Sequence, residues 1–365
     1  MPLPPLVEPV ATLTDAERAR TARHLSLAGL GETGQRRLAA AHVAVVGAGG
    51  LGSPVVLALA AAGIGTLTII DDDVVELSNL QRQVVHRRED AGSLKVDSAV
   101  RAAAALSDTL VRPVAERLTA DNATALLADA DLVIDGSDLF DTRVAVAAAT
   151  EELGIPLVWG TVQEFDAQVT VFWSAPPAGH GPVVLSDLYP AGSVGALPTC
   201  AEVGVLGALC LQVGSLLALE AIKLVAGIGE PLLGRVLVID GLRSRQTEVP
   251  LRGATAATKA APPPQPRPIT AVGPGALGDT LVIDVREAHE VANGMIPGAV
   301  HLPLAQLLAD PAAVRGPVVI VCQTAVRSRR AAEALRDAGV EASILAGGME
   351  AWTASTAVRT AEATA

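Results

Sequence analysis

Residues 43–63 read VAVVGAGGLGSPVVLALAAAG. A run of branched apolar residues with the length of one buried strand ends at a turn in which Gly47, Gly49 and Gly52 form a GxGxxG pattern, and an alanine-rich helical stretch follows at once. Glycine lets such a turn tighten and lets backbone N–H groups approach phosphate oxygens, while the first turn of the helix adds a partial positive charge. Gly50 belongs to the same candidate nucleotide cradle. The order strand, glycine turn, helix carries more weight than the glycines alone and predicts a wound α/β sheet. Outward from it, apolar runs at 42–46, 66–70, 131–134, 157–160 and 236–239 alternate with alanine-rich stretches, the rhythm of a largely parallel sheet.

The second strand ends in acids, TLTIIDDD, and places Asp71 roughly 20 residues past the glycines, where a carboxylate accepts hydrogen bonds from ribose hydroxyls. Alone, this suggests a nicotinamide-dependent oxidoreductase. The next segment, VVELSNLQRQVVH, gathers Asn79, Arg82 and Gln83, and a helix beginning at Leu94 carries Lys95, one of 3 lysines in the chain. Such groups suit a triphosphate. A further strand, DLVIDGSD, ends in Asp135 and Asp138, at the edge where ligands of open α/β sheets sit, and Asp138 is suited to hold Mg²⁺ against phosphates.

GAGGLG, IIDDD, SNLQRQ, the SLK lysine and DGSD together resemble the ThiF/MoeB group of E1-like adenylyltransferases over residues 13–250. The resemblance implies a Rossmann-like sheet and ATP as substrate. Asp71 would bind ribose, Asn79 and Arg82 with Lys95 would hold the phosphates, and Asp138 would coordinate Mg²⁺. Arg23, in ARHLSL, looks like the family's arginine that reaches a neighbouring subunit's ATP, which implies a homodimer. The family reaction adenylates the C-terminal Gly-Gly carboxylate of a small carrier protein. Cys200, in LPTCAEVGV, matches the family's cysteine ahead of a glycine-rich helix, whereas Cys210 reads as an inert core thiol. Two departures stand out. The CxxC pairs that hold structural zinc in relatives have no counterpart, so no zinc is expected, and Leu139 stands where the family usually has asparagine.

Residues 262–275, PPPQPRPITAVGPG, have the composition of an extended linker. Expected boundaries are 1–252 for the nucleotide domain, 253–274 for the linker, 275–358 for a second domain and 359–365 for a tail. Beyond the linker, short strands are expected at 280–284, 299–302, 317–321 and 342–345, with a helix at 328–338. LVIDVREAHEVANGMIPGAVHLPL, VVIVCQTAVRSRRAAEAL and LAGGMEAW resemble a small α/β rhodanese domain over residues 275–355. Cys322 ends a strand and opens a loop into a helix, so backbone N–H groups, the helix N-terminus and Arg327 would all favour a thiolate able to carry a persulfide. Asp284 and Arg286 read as loop-bracing groups, and His301 as a packing residue of the rhodanese resemblance. Gln323 replaces the basic residue often found beside the cysteine.

The composition restricts the partners. The 365 residues carry a formal charge of −12 without a basic block, which disfavours nucleic acid and anionic membranes. Three separated cysteines point to a reducing cytoplasm rather than a disulfide framework. The 17 uncharged residues at 203–219 approach the length of a membrane span but read as a buried core helix. The expected function is ATP-dependent activation of a Gly-Gly-terminated sulfur carrier, followed by sulfur transfer from a Cys322 persulfide loaded by thiosulfate or a cysteine desulfurase. A carrier-binding scaffold without catalysis and a nicotinamide-dependent oxidoreductase are the alternatives.

Overall fold

The computed structural model describes residues 3–190, 204–253, 269–278 and 280–362. The chain divides into two compact units, Met1–Lys259 and Ala260–Ala365.

The first unit is built on eight strands: β1 (His42–Val46), β2 (Thr66–Ile70), β3 (Leu110–Val114), β4 (Leu132–Asp135), β5 (Leu157–Gln163), β6 (Asp166–Phe172), β7 (Arg235–Asp240) and β8 (Arg245–Pro250). They lie in the order β3-β2-β1-β4-β5-β6-β7-β8. From β3 to β5 every pairing is parallel, as the sequence rhythm predicts. Beyond β5 the sheet becomes antiparallel, which the rhythm did not predict, because the segments after residue 157 include hairpins rather than helical crossovers alone. Alternate residues of β1 feed two cores: Val43 and Val45 pack with the helices Gly52–Ala62 and Gly207–Ala226, while Ala44 and Val46 pack on the opposite face with the helix Phe140–Leu153.

The apolar stretch forms the helix Gly207–Ala226. Its length and composition would allow a membrane crossing, but it lies in the core. Gly214 makes this possible, since a Cβ there would stand 2.3 Å from Pro54 Cγ on the helix Gly52–Ala62. Buried Glu220, in the same helix, accepts a hydrogen bond from Leu232 N at 2.8 Å and pairs with Lys223.

In the second unit β9 (Ala271–Val272), β10 (Leu281–Asp284), β11 (Val300–His301), β12 (Val318–Val321) and β13 (Ala342–Leu345) form a parallel sheet in the order β11-β10-β12-β13-β9. β9 corrects the expected linker. Ala271 and Val272 pair with Ile344 and Leu345, so the end of the 253–274 stretch is part of this sheet. Residues 254–268 of that stretch lie outside the described residues. The helix after β12, Val326–Asp337, starts two residues earlier than the pattern 328–338 indicates.

Candidate active site

Strand order reverses between β1 and β4, and the chain opens a crevice at the carboxyl ends of the strands there. Gly47 N donates to Ile70 O at 2.8 Å and Gly136 N to Val46 O at 2.9 Å, so both neighbouring strands are tied to the end of β1. Gly47 has φ +90°, a left-handed conformation that glycine adopts without strain. Gly52 meets a different demand: a Cβ would lie 1.8 Å from Gly47 O, so only glycine lets the helix start directly against the turn.

The crevice holds a cavity of about 320 Å³, with walls from four strand ends: Gly47, Gly49, Gly50 and Leu51 after β1, Asp71–Asp73 after β2, Glu116–Leu118 after β3, and Gly136–Leu139 after β4. Asn79, Arg82, Gln83 and Lys95 complete it, together with Arg143 and Cys210. The sequence-selected residues Gly47, Gly49, Gly50, Asp71, Asn79, Arg82, Gln83, Lys95 and Asp138 are thus brought to one place. Gly52 is the exception: it supports the turn from below and does not line the cavity. Arg23 is exposed on the helix Ala22–Leu25, away from its own chain's cavity. Cys200 lies outside the described residues.

Asp71 is anchored by the chain itself. Its carboxylate accepts from Ala48 N at 2.7 Å and Asp73 N at 2.9 Å. Burial pushes its pKa up, and Lys95 and the two backbone donors oppose that rise. Lys95, nearly buried, places Nζ 2.7 Å from Asp73 Oδ2. Asn79 Oδ1 is occupied by Glu76 N at 3.0 Å, while buried Gln83 Oε1 has no partner. Asp138 reaches the cavity, but Asp135 does not: it is fully buried and accepts from Ser137 N at 2.9 Å and Ser137 Oγ at 2.6 Å. Arg143 donates to Ser137 O at 3.1 Å and lies 5.7 Å above the Trp159 ring, bracing the loop that carries Asp138.

Six carboxylates line the cavity (Asp71, Asp72, Asp73, Glu76, Glu116 and Asp138) against four cations (Arg82, Lys95, Arg117 and Arg143). A polyphosphate would therefore need additional positive charge, and a cavity carboxylate such as Asp138 fits Mg²⁺, which takes one or two protein carboxylates with phosphate oxygens and water. Among the described residues no group of three or more His, Cys, Asp or Glu is placed to hold a metal by itself.

Two contributors escaped sequence reading. Arg117, paired with Asp72 at 3.0 Å, and Glu116 follow β3, a strand whose apolar pattern is interrupted. Cys210 is buried, as read, but is not remote from the chemistry: its sulfur would lie 3.2 Å from a Cβ at Gly50. A helical apolar run gives no signal that one of its members faces a cavity.

In the second unit Cys322 follows β12 and is buried, with Sγ accepting from Ser328 N at 3.4 Å. Arg327 interacts electrostatically with Cys322, but its hydrogen-bonding capacity is spent elsewhere. Its guanidinium forks onto Glu290 with two bonds of 2.6 Å, and this pairing holds the Glu290 pKa down to about 2. Asp284 and Arg286 form a buried ion pair at 2.8 Å, and His301 Nε2 donates to Arg286 O at 2.8 Å.

The loop stores backbone strain at Ala325, which has φ +77° and ψ −2° immediately before the helix Val326–Asp337. A left-handed conformation costs a non-glycine residue roughly 1–2 kcal/mol. Ala325→Gly is expected to stabilise the second unit by about 1 kcal/mol, raising its calorimetric midpoint by a few degrees. A lowered midpoint would show that the alanine is unstrained.

The ThiF family model matches residues 21–259, and the rhodanese-like domain model matches residues 275–355. The chain belongs to the ThiF family. This ThiF-family chain is 41% identical over 378 residues to the "Probable adenylyltransferase/sulfurtransferase MoeZ" of Mycobacterium tuberculosis, covering 96% of each protein. It is 44% identical over 243 residues to the "Sulfur carrier protein adenylyltransferase" of Thermus thermophilus, covering 66% of this chain and 89% of that relative. Among solved structures, Escherichia coli MccB with ATP shares the fold, with TM-score 0.53 and 20% identity over 67% of this chain and 74% of that one.

Proposed function

We propose that the chain uses ATP to adenylate the C-terminal glycine of a small sulfur-carrier protein, and then converts that carboxyl to a thiocarboxylate with sulfur carried on Cys322. One observation carries the reading: a ThiF-type nucleotide crevice and a rhodanese-type cysteine loop occupy one chain, and a relative named for both activities matches it almost end to end.

The carrier's carboxylate attacks the α-phosphorus of ATP and pyrophosphate leaves. Asp71 receives the ribose hydroxyls, while Lys95 and Arg82 stabilise charge gathering on the phosphate oxygens. Mg²⁺, held by Asp138, would supply the further positive charge that the acidic walls withhold. The Cys322 persulfide then attacks the acyl carbon, the C–O bond to AMP breaks, and an acyl disulfide remains. A second thiol, with Cys200 the candidate, attacks the Cys322 sulfur of the acyl disulfide, the thiocarboxylate leaves, and the Cys200–Cys322 disulfide so formed is returned to two thiols by a dithiol reductant. Arg23 completes the site across a homodimer, and either thiosulfate or a cysteine desulfurase loads Cys322. A cytoplasmic location belongs to the same reading, because Cys322 must be reduced to accept sulfur.

The test is intact mass of Gly-Gly-terminated carriers after incubation with the enzyme, Mg-ATP and thiosulfate. A gain of about 16 mass units, oxygen replaced by sulfur, is expected with release of AMP. No AMP and no mass change with any carrier would leave a scaffold that binds without catalysis.

A further inference from the structure

Ser328 stands in the first turn of the helix Val326–Asp337 with its side chain fully buried. Its backbone N–H points at the Cys322 sulfur over 3.4 Å, yet its hydroxyl has no hydrogen-bond partner. Buried hydroxyls are rarely left in that state, because the lost hydration is not replaced. Helical hydroxyls elsewhere in the chain bond back to the preceding turn: Thr150 Oγ1 donates to Val146 O at 3.0 Å and Ser215 Oγ to Leu211 O at 2.9 Å. Ser328, at the nucleophile, does not.

Two cations near the loop hydrogen-bond to carboxylates rather than to the sulfur, although Arg327 still acts on Cys322 electrostatically. Arg327 from the same helix is forked onto Glu290, and Arg286 after β10 is paired with Asp284. Gln323 Nε2 lies 3.5 Å from Glu350 of the helix Gly348–Glu362, which adds a negative charge near the loop. A thiolate formed here has Ser328 N as a hydrogen-bond donor, and a second local donor would stabilise it further.

We propose that the Ser328 hydroxyl is that donor, unpaired beside the Cys322 sulfur and recruited by rotation about one side-chain bond when a thiolate forms. The oxygen and the backbone nitrogen of a serine are carried on adjacent carbons, so a residue whose N–H already faces Sγ can bring its O–H to the same atom in another staggered rotamer. The inference rests on the sulfurtransferase reading of Cys322. During loading from thiosulfate, the Cys322 proton passes to solvent and the thiolate attacks the sulfane sulfur. A new S–S bond forms, the bond to the sulfonate breaks, and its electron pair leaves with sulfite. Ser328 keeps its own proton throughout and stabilises the thiolate before the attack. When cyanide removes the terminal sulfur as thiocyanate, Cys322 departs as a thiolate and the same hydrogen bond re-forms.

Ser328→Ala in the full chain isolates this role, read by the pH dependence of Cys322 alkylation with iodoacetamide at the peptide level and by thiosulfate–cyanide turnover. The alkylation midpoint is expected to rise by about one pH unit, so that the rate below it falls about tenfold while the high-pH plateau changes less than about twofold. Turnover, as kcat/KM for thiosulfate, should fall about tenfold in parallel, and Ser328→Thr should restore both. The thermal midpoint of Ser328→Ala should equal or exceed that of the wild type, since an unpaired hydroxyl is removed. An unchanged alkylation profile, or a lowered thermal midpoint that reveals a structural hydrogen bond, overturns the inference and leaves the sulfurtransferase reading standing. A wild-type enzyme that takes no sulfur from thiosulfate or from a persulfide donor would instead overturn that reading.

Discussion

Cys322→Ala is expected to abolish thiocarboxylate formation while leaving pyrophosphate release from ATP intact. The sulfur is the atom that accepts and delivers sulfane sulfur in the proposed scheme, and removing a covalent nucleophile costs at least about 10³-fold when nothing else takes over. Adenylation should survive because the glycine turn, Asp71, Lys95 and Asp138 all belong to the other compact unit. The substitution also removes a packed sulfur that accepts Ser328 N, so a stability loss of about 1–2 kcal/mol in the second unit should accompany it. Intact mass and pyrophosphate release, measured on one reaction mixture, separate the two steps: no gain of about 16 mass units, with normal pyrophosphate. A variant that still thiolates the carrier would move the sulfur chemistry to another cysteine, and Cys210, beneath Gly50, would be the first to examine. Loss of both signals would instead mean that the two halves depend on each other for adenylation.

The parallel part of the first sheet was legible because its strands are buried on both faces and read as uninterrupted branched apolar runs: the burial of β1, β2 and β4 is almost complete. The two edge strands were not. β3, LVRPV, carries Arg112 and Pro113, and β8, RQTEVP, is exposed at all six positions. Edges of sheets are protected by charge and proline, the features that erase the pattern of a strand. β6 was missed for another reason, since its tight hairpin with β5 turns at Glu164, φ +52°, without the glycine that usually marks such a turn. In the second unit β9 is two residues long and follows a proline-rich stretch, so only its pairing with β13 reveals it.

Among the site residues, those whose type suits phosphate or ribose could be selected from the sequence, but their partners could not. Arg327 looked like a cation for the sulfur because it ends the cysteine loop; it does act on Cys322 electrostatically, but Glu290, 37 positions away, holds its guanidinium by a fork the sequence could not show. Ser328 drew no attention because a serine in a helix is ordinary, and its meaning comes from a missing partner. Gly52 was assigned to the ligand because glycine fingerprints are written as a unit, whereas its part here is backbone contact with Gly47. Residue type thus reported what each group can do, and only geometry reported what each already holds.

Lys95 is where that difference has its largest consequence. Its ammonium sits on Asp73 at 2.7 Å, nearly buried, while the Asp73 side chain is 56% exposed. The two are not equivalent partners: Asp73 can turn to water, but Lys95 has been desolvated at the cavity wall, where its charge counts most. Lys95→Ala is expected to lower ATP–pyrophosphate exchange by about 10²–10³-fold, the scale for losing one preorganised donor to transition-state charge. Lys95→Arg should not rescue it, because a planar fork does not fit where a compact ammonium is enclosed. The pH dependence gives a second reading. Burial raises the Asp71 pKa and Lys95 restrains the rise, so its removal lets the pKa climb further. In the proposed scheme Asp71 accepts ribose hydroxyls as a carboxylate, so the acid limb of exchange should move to higher pH in the variant. Stability follows the same sign. A carboxyl whose folded pKa lies above its unfolded value contributes stability that is complete below the unfolded value, about 3.9, and is lost as pH rises through the folded one. The variant should therefore lose more stability at pH 7 than at pH 4. Asp73→Asn, which frees Lys95 without removing it, should change exchange less than about tenfold. Exchange in Lys95→Ala within about threefold of the wild type, with an unmoved acid limb, would take Lys95 out of the phosphate clamp and leave it as a structural partner of Asp73.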